Sequence, residues 1–243
     1  MRKIAYCEMF DNELTHGWYL GTRNLLVSIL KKYLPTNAKI LDAGCGTGGT
    51  IVYLKKTGFS NIFGIDNSKL AISFCRQRKL TNIKSATVNH LPFKDQSFDA
   101  VICLDVLYHQ GVNQHKTISE FSRVLKKDGL LYIQEPAYNW LKSKHDKIVS
   151  TERRFTKGSL KEILELARFE IIKLSYFNTL LFPGIALKRL ADKLLGPNSK
   201  TSDITPLPKQ LNSLLKQFLF FETTLVKFLY LPFGLSVICL CKK

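Results

Sequence analysis

Ile40-Leu41-Asp42-Ala43-Gly44-Cys45-Gly46-Thr47-Gly48-Gly49-Thr50 is the stretch from which the rest of the chain can be read. A short apolar run, Lys39–Leu41, ends in a carboxylate and then breaks into glycines, so it reads as a buried strand entering a tight turn. Without a Cβ at 44, 46 and 48, the backbone there can take positive φ and approach a ligand closely. Thr50–Lys56 then starts a helix whose first amides face the same crevice.

Two classes of nucleoside cofactor use such a turn. Gly44, Gly46 and Gly49 fit the dinucleotide pattern G-x-G-x-x-G, and Asp66 follows at about the distance of a ribose-binding acid. Asp42 argues the other way, because a dinucleotide strand has an apolar residue two places before its first glycine. A carboxylate there needs a partner, either the amides of the turn or a cationic amino group. The stretch resembles motif I of the class I S-adenosylmethionine (SAM) methyltransferases, an acid and one residue followed by G-x-G-x-G. That resemblance implies SAM as cofactor, held by Asp42, Gly44, Cys45, Gly46 and Gly48.

Further blocks carry the same resemblance. His16-Gly17-Trp18-Tyr19 with Arg23 is similar to the His-Trp-Trp-Phe…Gly-Arg-Arg element that precedes motif I in one branch of the type 11 methyltransferases, with Gly17 and Thr22 as departures. It implies a cap over the cofactor, with Trp18 and Tyr19 against the sulfonium or adenine and Arg23 on the carboxylate. Ile62–Ile65 is a second strand ending in Asp66, whose carboxylate can accept both ribose hydroxyls and also cap the helix Ser68–Arg78. Asn67 would lie at the adenine edge. Asn89-His90-Leu91-Pro92-Phe93 with Ser97-Phe98-Asp99 is similar to the family's Asp-x-x-x-Leu-Pro-Phe…Ser-Phe-Asp block. Its acid position falls on Thr87 or Asn89 according to register, so Asn89 and the backbone around His90 are the expected adenine contacts.

Ala100–Leu104 is an uninterrupted apolar strand suited to a sheet covered on both faces. At its end, where open α/β sheets bind ligands, Asp105-Val106-Leu107-Tyr108-His109 resembles the family's Val-Leu-His-His segment. Leu104 is expected against the cofactor, and His109 as a base or as a wall residue. After strand Leu130–Gln134, the loop to Arg154 resembles the same branch. His145 and Asp146 are candidates for substrate contact, and Arg153 and Arg154 for an anionic substrate group or for Glu135. No metal is implied.

The expected architecture is a single α/β domain, 1–243, with a Rossmann-like doubly wound sheet of seven strands, the last antiparallel. Residues 1–36 form an N-terminal cap helix (Asp11–Leu34), 37–177 and 233–243 the sheet core, and 178–232 a helical insertion. In the insertion, Ile185–Leu195 and Lys209–Leu229 read as amphipathic helices joined by Gly196–Pro208. Leu211, Leu214, Leu215, Phe218, Phe221, Leu225 and Phe228 form one stripe. The stripe suits a lid, a dimer interface or a docking face for anionic membrane.

There are 36 lysines and arginines against 19 acids, a formal charge of +17. The excess is scattered along helical faces without a nucleic-acid motif, which disfavours nucleic acid as partner. Cys7, Cys45, Cys75, Cys103, Cys239 and Cys241 show neither disulfide nor zinc spacing, as in a reducing compartment. The sequence thus implies a cytoplasmic enzyme, peripheral at the inner membrane face if the insertion docks. It would methylate a small-molecule, glycan-precursor or lipid-like acceptor. The alternative is a non-catalytic SAM-fold module that binds a membrane or a partner protein through the insertion.

Overall fold

The computed structural model describes residues 3–195 and 206–243, with side chains at all of these except 144, 145, 194 and 195. Most of the expected linker Gly196–Pro208 therefore lies outside the described residues. Seven strands are present: β1 Ile40–Ala43, β2 Ile62–Asp66, β3 Ile83–Ser85, β4 Phe98–Leu104, β5 Leu125–Pro136, β6 Glu170–Phe177 and β7 Ser236–Lys242. They lie in the order β3-β2-β1-β4-β5-β7-β6. β7 runs antiparallel between β5 and β6, and the pairings among β1 to β5 are parallel.

Alternation along the strands explains the two cores. Leu41, Ala43, Val101 and Cys103 point to one face and pack with Phe121, Phe155 and Leu160. Ile40, Ala100, Ile102 and Tyr132 point to the other and pack with Leu25, Leu26, Ile51 and Leu219. Both faces are buried, so the strands read as continuous apolar runs and not as alternating ones. The helices covering them are α2 Gly17–Tyr33, α3 Gly49–Lys56, α4 Lys69–Gln77, α5 Gln114–Val124, α6 Lys144–Ile148, α7 Lys157–Leu166, α8 Phe182–Leu195 and α9 Lys209–Phe228, with α1 Lys3–Asn12 ahead of them.

Two local results differ from the sequence expectation. The single helix expected over Asp11–Leu34 is two, α1 and α2. His16 takes an extended backbone (φ −69°, ψ 131°), and its side chain accepts from the Trp18 amide to cap α2. Asn212 holds the break from outside: its Oδ1 accepts from the Gly17 amide at 2.6 Å and its Nδ2 donates to Thr15 O at 2.9 Å. The second concerns the orientation of α9, for which the sequence left a lid, a dimer interface and a docking face open. Its buried residues are Leu219, Glu222, Thr223 and Val226, while Leu211, Leu214, Phe218, Phe221 and Phe228 of the expected stripe are exposed.

The orientation follows from α2. Gly21 presents bare backbone to Leu219, and a Cβ at Gly21 would stand 2.4 Å from the Leu219 Cβ. Glu222 completes the seat by accepting the amides of Thr179 (2.7 Å) and Leu180 (3.2 Å) at the exit from β6. Gly21→Val should therefore overpack this contact at a cost of about 1–3 kcal/mol. The melting temperature should fall by roughly 3–10 °C for a chain of this length; an unchanged calorimetric transition would show that α9 does not seat on α2 through Leu219.

Candidate functional site

β1 and β4 are neighbours in the sheet but lead to opposite sides of it, which opens a crevice at their C-terminal ends. A cavity of about 510 Å³ occupies that crevice. One end is floored by the glycine turn after β1 and walled by Asp66 and Asn67; the other reaches α6 and α8. The turn has to be glycine at Gly44: φ is +90°, and a Cβ would stand 2.4 Å from Val106 Cγ2. Val106 follows β4, so the close approach also fixes the spacing between the two strand ends.

Three strand-end carboxylates face this cavity. Asp42 is 2% exposed, and its Oδ2 has no hydrogen-bond partner. Desolvation pushes its pKa up to about 7, with Arg23 opposing and Glu13 and Asp66 adding to the rise. Asp66 accepts from the amides of Gly46 (3.0 Å) and Ser68 (2.9 Å). Burial raises its pKa against those two bonds. Asp105 takes a left-handed backbone conformation, φ +57°, uncommon for a residue with a side chain. Its carboxylate is open to the cavity while protein surrounds it, and desolvation pushes its pKa up to about 7 against the pull of Arg154. Sequence reasoning placed Asp105 at the strand end but gave it no role. The signal was present as a carboxylate one residue beyond an apolar strand, the same signal used for Asp42 and Asp66.

Glu135 explains how the β4 exit is held. It is fully buried at the end of β5, and its carboxyl group accepts from the amides of Leu107 (2.7 Å), Val106 (3.0 Å) and Tyr108 (3.2 Å). Arg154, expected on Glu135 or on an anionic group, instead forks onto Asp146 at 2.8 and 2.9 Å. Burial works to raise the Asp146 pKa, but that fork holds it below the ordinary carboxylate range. Asp146 lines the cavity as part of an ion pair and not as a lone acid. The His145 side chain lies outside the described residues. His109 lines the cavity, its ring tilted 39° to that of Tyr108 with centroids 4.1 Å apart, and desolvation pushes its pKa down to about 4.

The cap brings further residues. Trp18, Tyr19, Arg23 and Leu104 all line the cavity. Arg23 is already engaged: it donates through Nε to Thr50 Oγ1 at 3.2 Å and pairs with the buried Glu13. Glu13, in the link between α1 and α2, also receives the Gly49 amide at 3.1 Å, the Thr47 hydroxyl and the Arg78 guanidinium. A carboxylate thus sits at the first amides of α3, where the helix dipole favours negative charge. From α1, Tyr6 lines the cavity with Asp66, and Phe10 stacks on Phe74 at 4.4 Å. No role for Glu13 or Tyr6 was legible locally: apart from Arg23, ten positions on, the partners of Glu13 lie 34 to 65 positions away.

Three expected contacts lie elsewhere. Asn89 points away from the cavity, its Oδ1 taken by the Asn113 amide (2.9 Å) and the Thr117 hydroxyl (3.0 Å). His90 is on the surface, its side chain 81% exposed near Glu120. β3 ends at Ser85, so Ala86, Thr87 and Val88 are the residues that reach the cavity wall. Gly48 turns inward: it caps α3 at φ +86°, and a Cβ there would meet Leu80 and Cys75. Cys45 lines the cavity beside Gly44 and Gly46.

Residues 41–133 match the family described as Methyltransferase domain. The ubiquinone/menaquinone biosynthesis C-methyltransferase UbiE of Campylobacter jejuni is 32% identical over 115 residues, 44% of this chain and 48% of that protein. Human EEF1A lysine methyltransferase 2 is 33% identical over 133 residues, 49% of this chain and 56% of that one. The chain spans about half the length of these curated relatives. A SAM-dependent methyltransferase structure from Methanosarcina mazei superposes with a TM-score of 0.59 at 20% identity, covering 88% of this chain and 96% of that one. Over residues 41–133 the chain is thus similar to methyltransferase domains, and its fold is shared with solved SAM-dependent methyltransferases.

Glu13→Ala should release the cap from the turn, because it leaves the buried Arg23 without its partner, at about 3–5 kcal/mol. The Gly49 amide, which donates to that carboxylate, should then exchange hydrogen faster by at least about tenfold. Unaltered exchange at Gly49 would mean that Glu13 does not hold the cap on the glycine turn.

Proposed function

We propose that this chain transfers a methyl group from SAM to a small-molecule, glycan-precursor or lipid-like acceptor. The observation that carries the proposal is the bare Oδ2 of Asp42, a buried carboxylate oxygen beside the glycine turn and without a partner. Burial of a carboxylate without a partner is costly, and an amino group with a positive charge is the partner its raised pKa calls for. The remaining donors and acceptors fit the same ligand. Asp66 has lone pairs left for two ribose hydroxyls, Thr22 carries an orphaned hydroxyl on the cavity wall, and Trp18 and Tyr19 supply aromatic faces.

When bound, SAM supplies an activated methyl on a sulfonium, so the protein has mainly to position the acceptor and exclude water. Asp105 is the residue suited to take the proton that the acceptor gives up, since its carboxyl titrates near neutrality and has no hydrogen-bond partner among the described residues. His109, with its lowered pKa, is a weaker base and suits an orienting or walling role. Val149, Ser150 and Ile185 give the acceptor end a mixed apolar and polar wall, with Lys188 at its margin.

The proposal has a sign. A cation bound at Asp42 holds that carboxyl ionised, so its pKa falls on binding and protons are released below about 7, where the free site is protonated. SAM affinity should therefore weaken as pH drops through about 7. The calorimetric enthalpy at about pH 6 should also differ between buffers of different ionisation enthalpy. Asp42→Asn should remove most of that buffer dependence, and Asp66→Ala should weaken the dissociation constant at least tenfold, about 1.4 kcal/mol. Wild-type constants in both variants would show that the crevice holds something else. With acceptors found by a labelled-SAM screen, Asp105→Asn should lower kcat by about 100-fold or more and leave the SAM constant in place. An unchanged kcat would remove Asp105 from the chemistry.

A further inference from the structure

The insertion presents an apolar face that nothing in the described chain covers. On α9, Leu211 (49% exposed), Leu214 (49%), Phe218 (45%), Phe221 (59%) and Phe228 (80%) recur at intervals of three, four and seven along one flank. The stripe runs on past the helix end into Leu229 (53%) and Tyr230 (63%). Twenty residues of helix are about 30 Å long, so this is an extended ridge and not an isolated side chain. Monomeric proteins seldom leave so long a run of Leu and Phe in water without a use for it. α8 adds Leu187 (70%) and Leu190 (45%) from the same insertion.

Charge tells what fits the ridge. Lys209, Lys216 and Lys227 are exposed on α9, spaced so that they fall along one polar flank. The helix has a single acid, Glu222, and it is buried, with its oxygens committed to the amides of Thr179 and Leu180. The solvent-facing part of α9 is therefore wholly apolar, neutral or cationic. α8 repeats the bias with Lys188, Arg189 and Lys193 against Asp192. A second copy of this chain, at +17, would bring like charge against like. An anionic bilayer offers both halves of the complement: hydrocarbon for Leu and Phe at the boundary, and lipid phosphates for the lysines. Tyr230, at the end of the ridge, is a residue type that favours the headgroup level. No helix among the described residues is long and apolar enough to cross a membrane, so the contact would be in-plane.

We infer that the outer flank of α9 docks onto anionic lipid surface, with the helix lying in the plane of the interface. α8 joins this face to the chemistry, because its Ile185, Lys188 and Arg189 line the acceptor end of the cavity. Docking by α9 does not depend on methyl transfer, and a failure of either can be told apart from a failure of the other.

The test is flotation of the full chain with vesicles of phosphatidylcholine alone and of phosphatidylcholine with phosphatidylglycerol. Wild-type protein should float with the mixed vesicles and far less with the neutral ones. Phe218→Ser combined with Phe221→Ser should reduce the bound fraction at least tenfold, since each substitution removes an apolar ring that would be buried at the boundary. Lys209→Gln, Lys216→Gln and Lys227→Gln together should reduce binding to the mixed vesicles by at least about tenfold and leave the residual binding to neutral ones unchanged. SAM calorimetry on each variant reports the fold, because none of these residues lines the cavity. If wild-type protein stays at the bottom of both gradients, or if the Phe218/Phe221 variant floats as well as wild type, the inference is overturned. Equal flotation with neutral and mixed vesicles overturns it as well. So does a wild-type dimer in sedimentation that becomes a monomer in the Phe218/Phe221 variant, since a second copy would then be the occupant.

Discussion

The structure depends on burying several carboxylates around one crevice with too few cations to answer them. Asp42, Asp66, Asp105, Glu13 and Glu135 all lie at or behind the ends of β1, β2, β4 and β5, in a protein whose net charge is strongly positive. The positive excess is on the surface, where water screens it, and little of it reaches the crevice. Arg23 lowers Asp42 and Arg154 lowers Asp105, yet neither guanidinium outweighs the desolvation it faces. Burial penalises the charged form of a carboxylate, so a buried one must be bonded, be protonated or await a partner.

The acids divide between those three outcomes according to what the backbone offers. Glu135 meets three amides where the chain leaves β4, and its role is to hold that loop. Glu13 meets one amide, one hydroxyl and two guanidinium groups, and ties the cap to the glycine turn. Asp66 has two amides but keeps lone pairs toward the cavity. Asp42 and Asp105 are left with the least: an orphaned oxygen on one and no hydrogen-bond partner among the described residues for the other. In these two, which the fold does not satisfy, desolvation pushes the pKa up to about 7, as burial also raises the satisfied Glu135 and Asp66. Unsatisfied polar groups of this kind concentrate at functional sites, because saturation by the protein would leave nothing for a ligand to bind.

The parts of this arrangement that could be read from sequence are those set by local chemistry. The glycine turn, the acids closing β1 and β2, and the apolar runs of the parallel strands each carry their reason within a few residues. The doubly wound sheet of seven strands and its antiparallel last strand came with the family resemblance and are present in the structure. What could not be read is set by contacts distant in sequence. The break between α1 and α2 depends on Asn212, 195 positions from Gly17. The inward turn of Glu13 depends on Arg78, 65 positions away. The motif left its acid position on Thr87 or Asn89 according to register; with β3 ending at Ser85, Thr87 and Val88 form the wall and α5 takes the Asn89 side chain.

α9 shows the limit in a different form. Its apolar residues cover well over half the circumference, so the sequence was right that the helix is amphipathic but had no means of saying which part of the arc would be covered. The choice is made by α2, where Gly21 leaves a notch that only one rotation of α9 can fill with Leu219. That rotation turns Glu222 to the Thr179 and Leu180 amides and Asn212 to Gly17. Polar groups therefore fix the seat as firmly as the leucine does. Once α9 is seated this way, the longer and more aromatic part of its apolar arc has no partner within the described chain. Packing alone would have favoured burying it, so its exposure reflects geometry imposed by the cap and by the end of β6.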